Sequence, residues 1–156
     1  MARPTTAAAT ADGLDDFICF AVYSANLAFN RVYKPLLDEL NLTYPQYLVL
    51  VALYDEDDQT VGGLGEKLFL DSSTLTPLLK RMEAIGYVTR QRDREDERQV
   101  RVGLTPRGRS VREKGIGFRG ELLKATGLTP SGLRALRDEI VKMRDSLAEA
   151  VRGTER

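Results

Sequence analysis

The stretch from Asp71 to Gly108 constrains the fold most, because its hydrophobic pattern changes from helical to extended spacing along its length. Capping side chains at Asp71-Ser72-Ser73-Thr74 precede apolar residues spaced for one helical face. Gly86 then offers a left-handed stop. Residues 87–92 and 99–104 have the composition of two short strands, joined by the charged residues 93–98. A helix followed by a two-stranded ribbon with a basic tip predicts a winged helix-turn-helix.

Helical patterns flank this unit on both sides, so the predicted fold class is mainly α with a small β-wing. The first helix is expected to run from Leu14 to about Leu40, with Asp12 as its cap. Four further helices are each preceded by a threonine, whose hydroxyl suits a helix start. These threonines are Thr43, Thr60, Thr105 and Thr129. The helix after Thr105 is expected to run toward Ala125, with a loose or bent middle at Gly115, Gly117 and Gly120.

The chain is predicted to form one unit. Residues 1–13 are small and polar and are expected to be a flexible tail, and residues 14–156 form a single domain-sized body. Within it, residues 43–104 form the winged helix, and the segments 14–40 and 105–152 flank it. The last helix carries apolar residues that step by three or four: Leu133, Leu136, Ile140, Met143, Leu147 and Val151. Such a stripe requires a partner, which is the first helix, a second subunit or both.

Composition restricts the function classes. Lys plus Arg and Asp plus Glu number 23 each, so the chain as a whole is not basic, and DNA binding has to be argued from the local arginine cluster in residues 90–101. The absence of histidine argues against histidine-based acid–base catalysis and against a transition-metal site, and no cofactor is expected. One cysteine, no secretion signal and no long apolar run indicate a cytoplasmic protein without a membrane partner.

Several motifs, in the same order along the chain, resemble one known family. The order of helices around a winged helix is similar to the MarR-type repressors of bacteria. Within them, the motifs resemble the organic-hydroperoxide-sensing OhrR group of the one-cysteine type. The motifs are Cys19-Phe20, Tyr33-Lys34-Pro35-Leu36-Leu37-Asp38, Leu42-Thr43-Tyr44-Pro45-Gln46-Tyr47, the run from Leu70 to Arg81, and Glu95-Asp96-Glu97-Arg98.

The resemblance implies a homodimeric, non-enzymatic repressor of a peroxide-detoxification gene. It matches the family's sensing cysteine to Cys19, and the tyrosines around that thiolate to Tyr23, Tyr33 and Tyr44, the last two from the partner subunit. The flanking segments 14–40 and 105–152 then become dimerisation helices. An organic hydroperoxide is the implied inducer. Because the chain has no second cysteine, a small external thiol is expected to cap the oxidised sulfur, or oxidation proceeds further.

The predicted DNA-binding residues come from the helix after Asp71 and from the charged hairpin. The helix should lie in the major groove of operator DNA, and Arg98 should enter an A·T-rich minor groove, oriented by Asp96. Four further arginines of the hairpin, Arg90, Arg92, Arg94 and Arg101, are expected to bind phosphate. The predicted contacts on the helix are Ser72, Ser73, Thr74, Thr76, Lys80 and Arg81.

Two interpretations of Cys19 remain open from the sequence. Its place in the first turns of the first helix favours a thiolate, whereas Asp15 and Asp16 oppose one. A lone cysteine on an apolar helix is otherwise a small buried hydrophobe. Phe17 and Phe20 favour an apolar peroxide as the oxidant, or are ordinary core residues. The alternatives are therefore a repressor released by a small apolar or phenolic ligand, a thiol peroxidase, and a winged helix that binds only proteins.

Overall fold

The structure is a computed structural model that describes residues 13–154. The predicted tail and the predicted Asp12 cap therefore fall outside the described residues, apart from Gly13. The described part is mainly helical with a small sheet, which confirms the predicted fold class. The helices are α1 Ile18–Leu40, α2 Tyr44–Asp55, α3 Val61–Leu68, α4 Ser72–Ala84, α5 Pro106–Gly117, α6 Arg119–Thr126 and α7 Pro130–Thr154; the strands are β1 Gln59–Thr60, β2 Val88–Arg92 and β3 Val100–Leu104.

Local capping fixes the ends of the central helices, as the sequence predicts. Thr43 and Gln46 form a reciprocal capping box at the start of α2. Thr60 accepts from the Gly63 amide at the start of α3. Asp71 occupies the cap position of α4, although its side chain makes no capping hydrogen bond. Gly86 has φ +81° and ends α4 in the left-handed conformation.

The sheet has the antiparallel order β1-β3-β2. The two predicted wing strands are confirmed, with Val88 opposite Leu104 and Arg92 opposite Val100. The pairing of Gln59 and Thr60 with β3 is an addition that the sequence did not predict, because two residues are too few to show alternation. Through this pairing the segment before α3 holds the base of the wing.

One hydrophobic core joins α1, α2, α3, α4 and the base of the wing. Leu50, Leu53, Leu64, Leu79 and Val102 have no exposed surface in it. The Tyr87 hydroxyl donates to the Leu40 carbonyl at 2.8 Å, which ties the start of the wing to the end of α1. α4 and the wing are therefore fixed to the same hydrophobic core.

Two predicted helix boundaries are wrong. α1 begins at Ile18, because Leu14–Asp16 forms a separate 3₁₀ turn and Phe17, in an extended conformation, occupies the cap position. The predicted fifth helix is two helices, which meet in the middle where its glycines predict a bend. The Phe118 amide donates to the Gly115 carbonyl, three residues back, and the regular i−4 bonding is interrupted there. At this break the Phe118 ring packs against Tyr33, with 5.2 Å between ring centroids.

The terminal helices leave apolar surface uncovered. α7 has no buried residue, and Leu136, Ile140, Leu147 and Val151 are between 45% and 62% exposed. The first turns of α1 are similarly open, with Ile18 and Tyr23 each 60% exposed. α1 therefore does not bury the stripe of α7 within one chain. Within residues 13–154, no helix combines the length and the apolar composition that crossing a membrane requires.

Candidate nucleic-acid interface and cysteine site

α4 separates its residues into a buried and an exposed face. Leu75, Leu78, Leu79 and Met82 pack into the core and hold the helix by one side. The predicted DNA-contacting residues lie elsewhere on the helix: Ser72, Ser73, Thr74, Lys80 and Arg81 are exposed, and Thr76 is half-buried. Short hydroxyl side chains on the first turns allow the backbone to approach base edges or phosphates closely.

The wing presents Arg98 at its tip. The Arg98 side chain is 95% exposed, with Nε 3.8 Å from Oδ1 of Asp96. The same carboxylate oxygen accepts the backbone N–H of Arg98 at 3.1 Å. Asp93 organises the turn by accepting the backbone N–H groups of Glu95 and Asp96 at 2.8 and 3.2 Å. The structure thus places Asp96 beside Arg98 in a hydrogen-bonded turn that leaves the guanidinium accessible.

The recognition helix and the wing share one surface. Ser72 and Thr76 of α4 line the same open groove as Arg98, together with Thr60 and Gly63 at the start of α3. This juxtaposition joins a polar helix face to a basic finger, which is the arrangement that a winged helix uses to contact adjacent grooves of DNA.

The arginines of the hairpin differ in their surroundings. The Arg90 side chain is only 22% exposed, and its Nε and Nη2 lie 3.0 and 2.9 Å from Glu83 Oε2, so it joins the wing to α4. Arg92 and Arg94 are exposed. Their phosphate contacts, and that of Arg90, stay predictions. Glu83 was not predicted, because its partner is in another element.

Arg101 also has a structural role at the base of the wing. Its Nε donates to Asp58 at 2.9 Å and its Nη1 to Asp93 at 3.2 Å. Hydrogen bonds from the Glu95 and Asp96 amides, and then from Arg101, hold the pKa of the Asp93 carboxyl below its usual range. The hydrogen bonds to Asp58 and Asp93 raise the pKa of Arg101. These ion pairs connect both wing strands to the loop before α3.

Cys19 is the second residue of α1 and its thiol is exposed. In this position the thiol lies at the positive end of the helix dipole. Tyr23 follows one turn later on the same face, and Phe20 lies with its ring 6.5 Å from that of Tyr23. Phe17 is 52% exposed. Cys19 is therefore not a core residue of a single chain.

Tyr33 and Tyr44 form a separate aromatic cluster with Tyr47 and Phe118. The Tyr33 ring centroid lies 5.1 Å from Tyr44, 5.9 Å from Tyr47 and 5.2 Å from Phe118. Burial, followed by the neighbouring Tyr44 and Tyr47, raises the pKa of Tyr33 to about 12. Burial also raises the pKa of Tyr44. Both hydroxyls are therefore protonated near neutral pH and are able to donate a hydrogen bond.

One chain does not bring Cys19 together with Tyr33 and Tyr44. Cys19 and Tyr33 are fourteen residues apart on the same helix. At the rise of an α-helix this corresponds to about 21 Å between their backbones. Tyr23 is thus the predicted sensor tyrosine near the cysteine of its own chain. Tyr47 and Phe118 join the tyrosine cluster through tertiary packing, and no local pattern in the sequence indicated them.

The comparisons with known proteins agree on one kind of protein. A family model described as "Transcriptional regulator SarA/Rot" matches residues 31–114. The HTH-type transcriptional regulator TtmR of Methylorubrum extorquens is 50% identical over 142 residues, covering 91% of this chain and 73% of that protein. The organic hydroperoxide resistance transcriptional regulator of Bacillus subtilis is 42% identical over 134 residues, covering 86% of this chain and 91% of that protein.

The solved structures include a regulator bound to DNA. AbfR of Staphylococcus epidermidis is 33% identical and superposes with a TM-score of 0.75. The alignment covers 87% of this chain and 94% of that one. AbfR has also been solved in its reduced form bound to DNA, with a TM-score of 0.71 over 87% of this chain and 96% of that one. These relatives are transcriptional regulators and not enzymes.

Proposed function

Because the chain belongs to the MarR-type transcriptional regulators, within their organic-hydroperoxide-sensing OhrR group, we propose that it is a homodimeric repressor that releases its operator when Cys19 is oxidised. DNA binding itself follows from the family. The observation that carries the redox proposal is the position of Cys19, which is exposed in the first turn of α1 and far from Tyr33 and Tyr44 of its own chain.

The homodimer is supported by the uncovered apolar faces of α1 and α7. Ile18, Ile140 and Val151 expose between 45% and 62% of their surface in one chain. A second copy related by a two-fold axis covers the same patch on both subunits. It also supplies Tyr33 and Tyr44 to the Cys19 of its partner, which completes the sensor site. Two recognition helices then meet half-sites about one helical turn of DNA apart.

The chemistry requires one oxidant and one small thiol. The Cys19 thiolate attacks the terminal oxygen of an organic hydroperoxide, the O–O bond breaks, and an alkoxide leaves and takes up a proton as the alcohol. The sulfur, oxidised by two electrons, becomes a sulfenic acid. A small thiol then condenses with the sulfenic acid, which forms a mixed disulfide and releases water. The nearby Phe17 and Phe20 favour an apolar peroxide over hydrogen peroxide.

Release of DNA follows from a change in packing at the sensor. A thiolate accepts hydrogen bonds from the protonated Tyr33 and Tyr44 hydroxyls, whereas a mixed disulfide adds bulk and loses the negative charge. Displacement of these tyrosines rotates the winged helices, and the two lobes no longer match successive grooves. The peroxide-detoxification gene is then transcribed.

The test is binding of the reduced protein to a fluorescent duplex from the region upstream of its own gene. Anisotropy is measured before and after stoichiometric cumene hydroperoxide plus a small thiol, with Cys19→Ser as the matched control. The wild type should lose its binding and Cys19→Ser should keep it. A Cys19→Ser protein that dissociates on peroxide would contradict the proposal. Release of both proteins by a non-oxidising phenolic ligand would instead make Cys19 a bystander.

A further inference from the structure

Arg112 of α5 lies between two tyrosines of α2. Its guanidinium carbon is 5.7 Å from the ring centroid of Tyr47 and 5.6 Å from that of Tyr54. Its Nη1 donates to the Tyr47 hydroxyl at 3.3 Å. Within the described residues, Nε of Arg112 is buried without a hydrogen-bond partner. The contacts of this side chain are thus made chiefly with the faces of two aromatic rings, which attract a cation.

One of these rings reaches the sensor tyrosines. Tyr47 is 5% exposed and packs against Tyr33 at 5.9 Å between centroids. α5 also presses closely on Tyr47 at Gly115, where a Cβ atom would lie 2.4 Å from the Tyr47 hydroxyl oxygen. Tyr47 cannot move in this packing without moving α5 or Arg112, because protein interiors are close-packed and contain few voids that could accept a displaced ring.

The other ring leads to the wing. The guanidinium carbon of Arg109 lies 5.4 Å from the Tyr54 centroid, and its Nη2 donates to Asp57 at 3.1 Å. Asp57 in turn accepts the backbone N–H of Leu104, in β3, at 2.8 Å. The adjacent Asp58 pairs with Arg101 of the same strand. Contacts therefore continue without a gap from Tyr33, through Arg112, to the backbone of the wing.

The geometry points to Arg112 as the positioning residue that couples the tyrosine cluster to the wing. A displacement of Tyr33 and Tyr47 moves the guanidinium from the Tyr54 ring, and the Arg109–Asp57 support of β3 loosens. In this role Arg112 acts through Tyr47 and Tyr54, and it is not among the residues predicted to contact DNA or Cys19. That this route carries the redox signal rests on the proposed function, whereas the coupling of Tyr33 to the wing does not.

Continuity of contacts alone does not establish coupling, so the test is a double-mutant cycle. Amide hydrogen exchange of peptides covering residues 88–104 is followed by mass spectrometry in the reduced, full-length protein. The proteins are the wild type, Tyr33→Leu, Arg112→Met and the double variant. Lys114→Met is the matched control, since Lys114 is exposed on the same helix and its substitution removes one positive charge, as Arg112→Met does.

Tyr33→Leu should raise exchange in the wing about fivefold in the wild-type background and leave it unchanged in the Arg112→Met background. Lys114→Met should not reduce the effect of Tyr33→Leu. Equal effects of Tyr33→Leu in both backgrounds, or no effect in the wild-type background, would overturn the inference. If circular dichroism shows that Arg112→Met does not fold, Arg112→Lys replaces it, because an ammonium group cannot span both rings.

A second arm separates the inference from the proposed function. DNA release is measured after oxidation of Cys19 in the wild type and in Arg112→Met. If only the wild type releases its DNA, the result supports both the inference on Arg112 and the proposed function. Release of both proteins to the same extent removes Arg112 from the redox route. If the oxidised wild type keeps its DNA, the proposed function fails, and the exchange cycle still decides whether Arg112 couples Tyr33 to the wing.

Discussion

At the scale of single residues, exposure separates the arginine that can reach DNA from the one that supports the wing. Arg98 is 95% exposed at the tip of the hairpin, whereas Arg90 is 22% exposed and paired with Glu83. A half-buried ion pair stabilises the fold by fixing two elements, and removing one partner leaves the other charge poorly solvated. Arg98, in contrast, pairs within the described residues only with Asp96 of its own turn and does not join two elements.

Arg98→Ala should therefore weaken binding to the operator by about 1–3 kcal/mol, and the protein should keep its stability. The physical reason is the loss of a guanidinium from the minor groove, where the potential is most negative. Fluorescence anisotropy at fixed salt measures the affinity, and urea unfolding measures the stability.

Arg94→Ala serves as the control for Arg98→Ala, because Arg94 is exposed in the same turn. Its loss should reduce the affinity for all DNA sequences alike. The slope of log affinity against log salt concentration should fall in magnitude by about one, as expected for the loss of one phosphate contact. Unchanged specific affinity in Arg98→Ala would remove the tip of the wing from the account of DNA recognition.

Tyr33 is expected to lose its hydroxyl proton at a higher pH than an ordinary tyrosine. Its folded pKa of about 12 lies above the ordinary value of 10.0. The protonated hydroxyl is thus favoured in the folded state, so its contribution to stability is complete below pH 10 and is lost as the pH rises toward 12. Absorbance at tyrosinate wavelengths should show a late-titrating tyrosine that is absent in Tyr33→Phe. A titration curve that Tyr33→Phe leaves unaltered near pH 12 would contradict this assignment.

At the scale of elements, local signals predicted several of the boundaries that depend on a few neighbouring residues. The Thr43 cap, the Gly86 stop and the two wing strands are of this kind. Boundaries that depend on distant contacts were not predictable in the same way. The glycines of the predicted fifth helix indicated a bend, but they did not indicate that the helix ends there or that the Phe118 ring packs on Tyr33, which lies far away in the sequence.

The same distinction applies to the candidate site. The polar face of α4 and the exposed Arg98 follow from periodicity and from the turn. The engagement of Arg101 with Asp58, 43 positions away, does not, because no local pattern links them. Cys19 was placed near a helix start correctly, but the start is at Ile18, since Phe17 adopts an extended conformation.

Two glycines of α5 offer a matched test of its packing. A Cβ atom at Gly115 would lie 2.4 Å from the Tyr47 hydroxyl oxygen, whereas one at Gly117 meets nothing within 4 Å. Gly115→Ala should destabilise the protein by about 1–3 kcal/mol through overpacking. Gly117→Ala should be neutral or stabilise it by up to about 1 kcal/mol. Urea unfolding measures both; equal effects would mean that α5 does not press on Tyr47.

At the scale of the whole molecule, one chain leaves apolar faces of two helices uncovered and keeps Cys19 apart from two of the tyrosines that are predicted to surround it. α1 and α7 expose apolar side chains, and Cys19 lies about 21 Å along α1 from Tyr33. The two-fold dimer that we propose would resolve both at once, because the surface that covers α1 and α7 would also deliver the tyrosines. Sensing and dimerisation are then properties of the same interface.

A mixed dimer tests this arrangement most directly. One subunit carries Cys19→Ser, and the other carries Tyr33→Phe and Tyr44→Phe; two affinity tags allow the mixed species to be isolated. Oxidation of the remaining Cys19 by cumene hydroperoxide is followed with a sulfenic-acid probe and mass spectrometry. If the site is built across subunits, this Cys19 meets intact tyrosines and should oxidise at the wild-type rate. Oxidation at the slower rate of the Tyr33→Phe, Tyr44→Phe homodimer would contradict the account, as would equal rates in all three dimers.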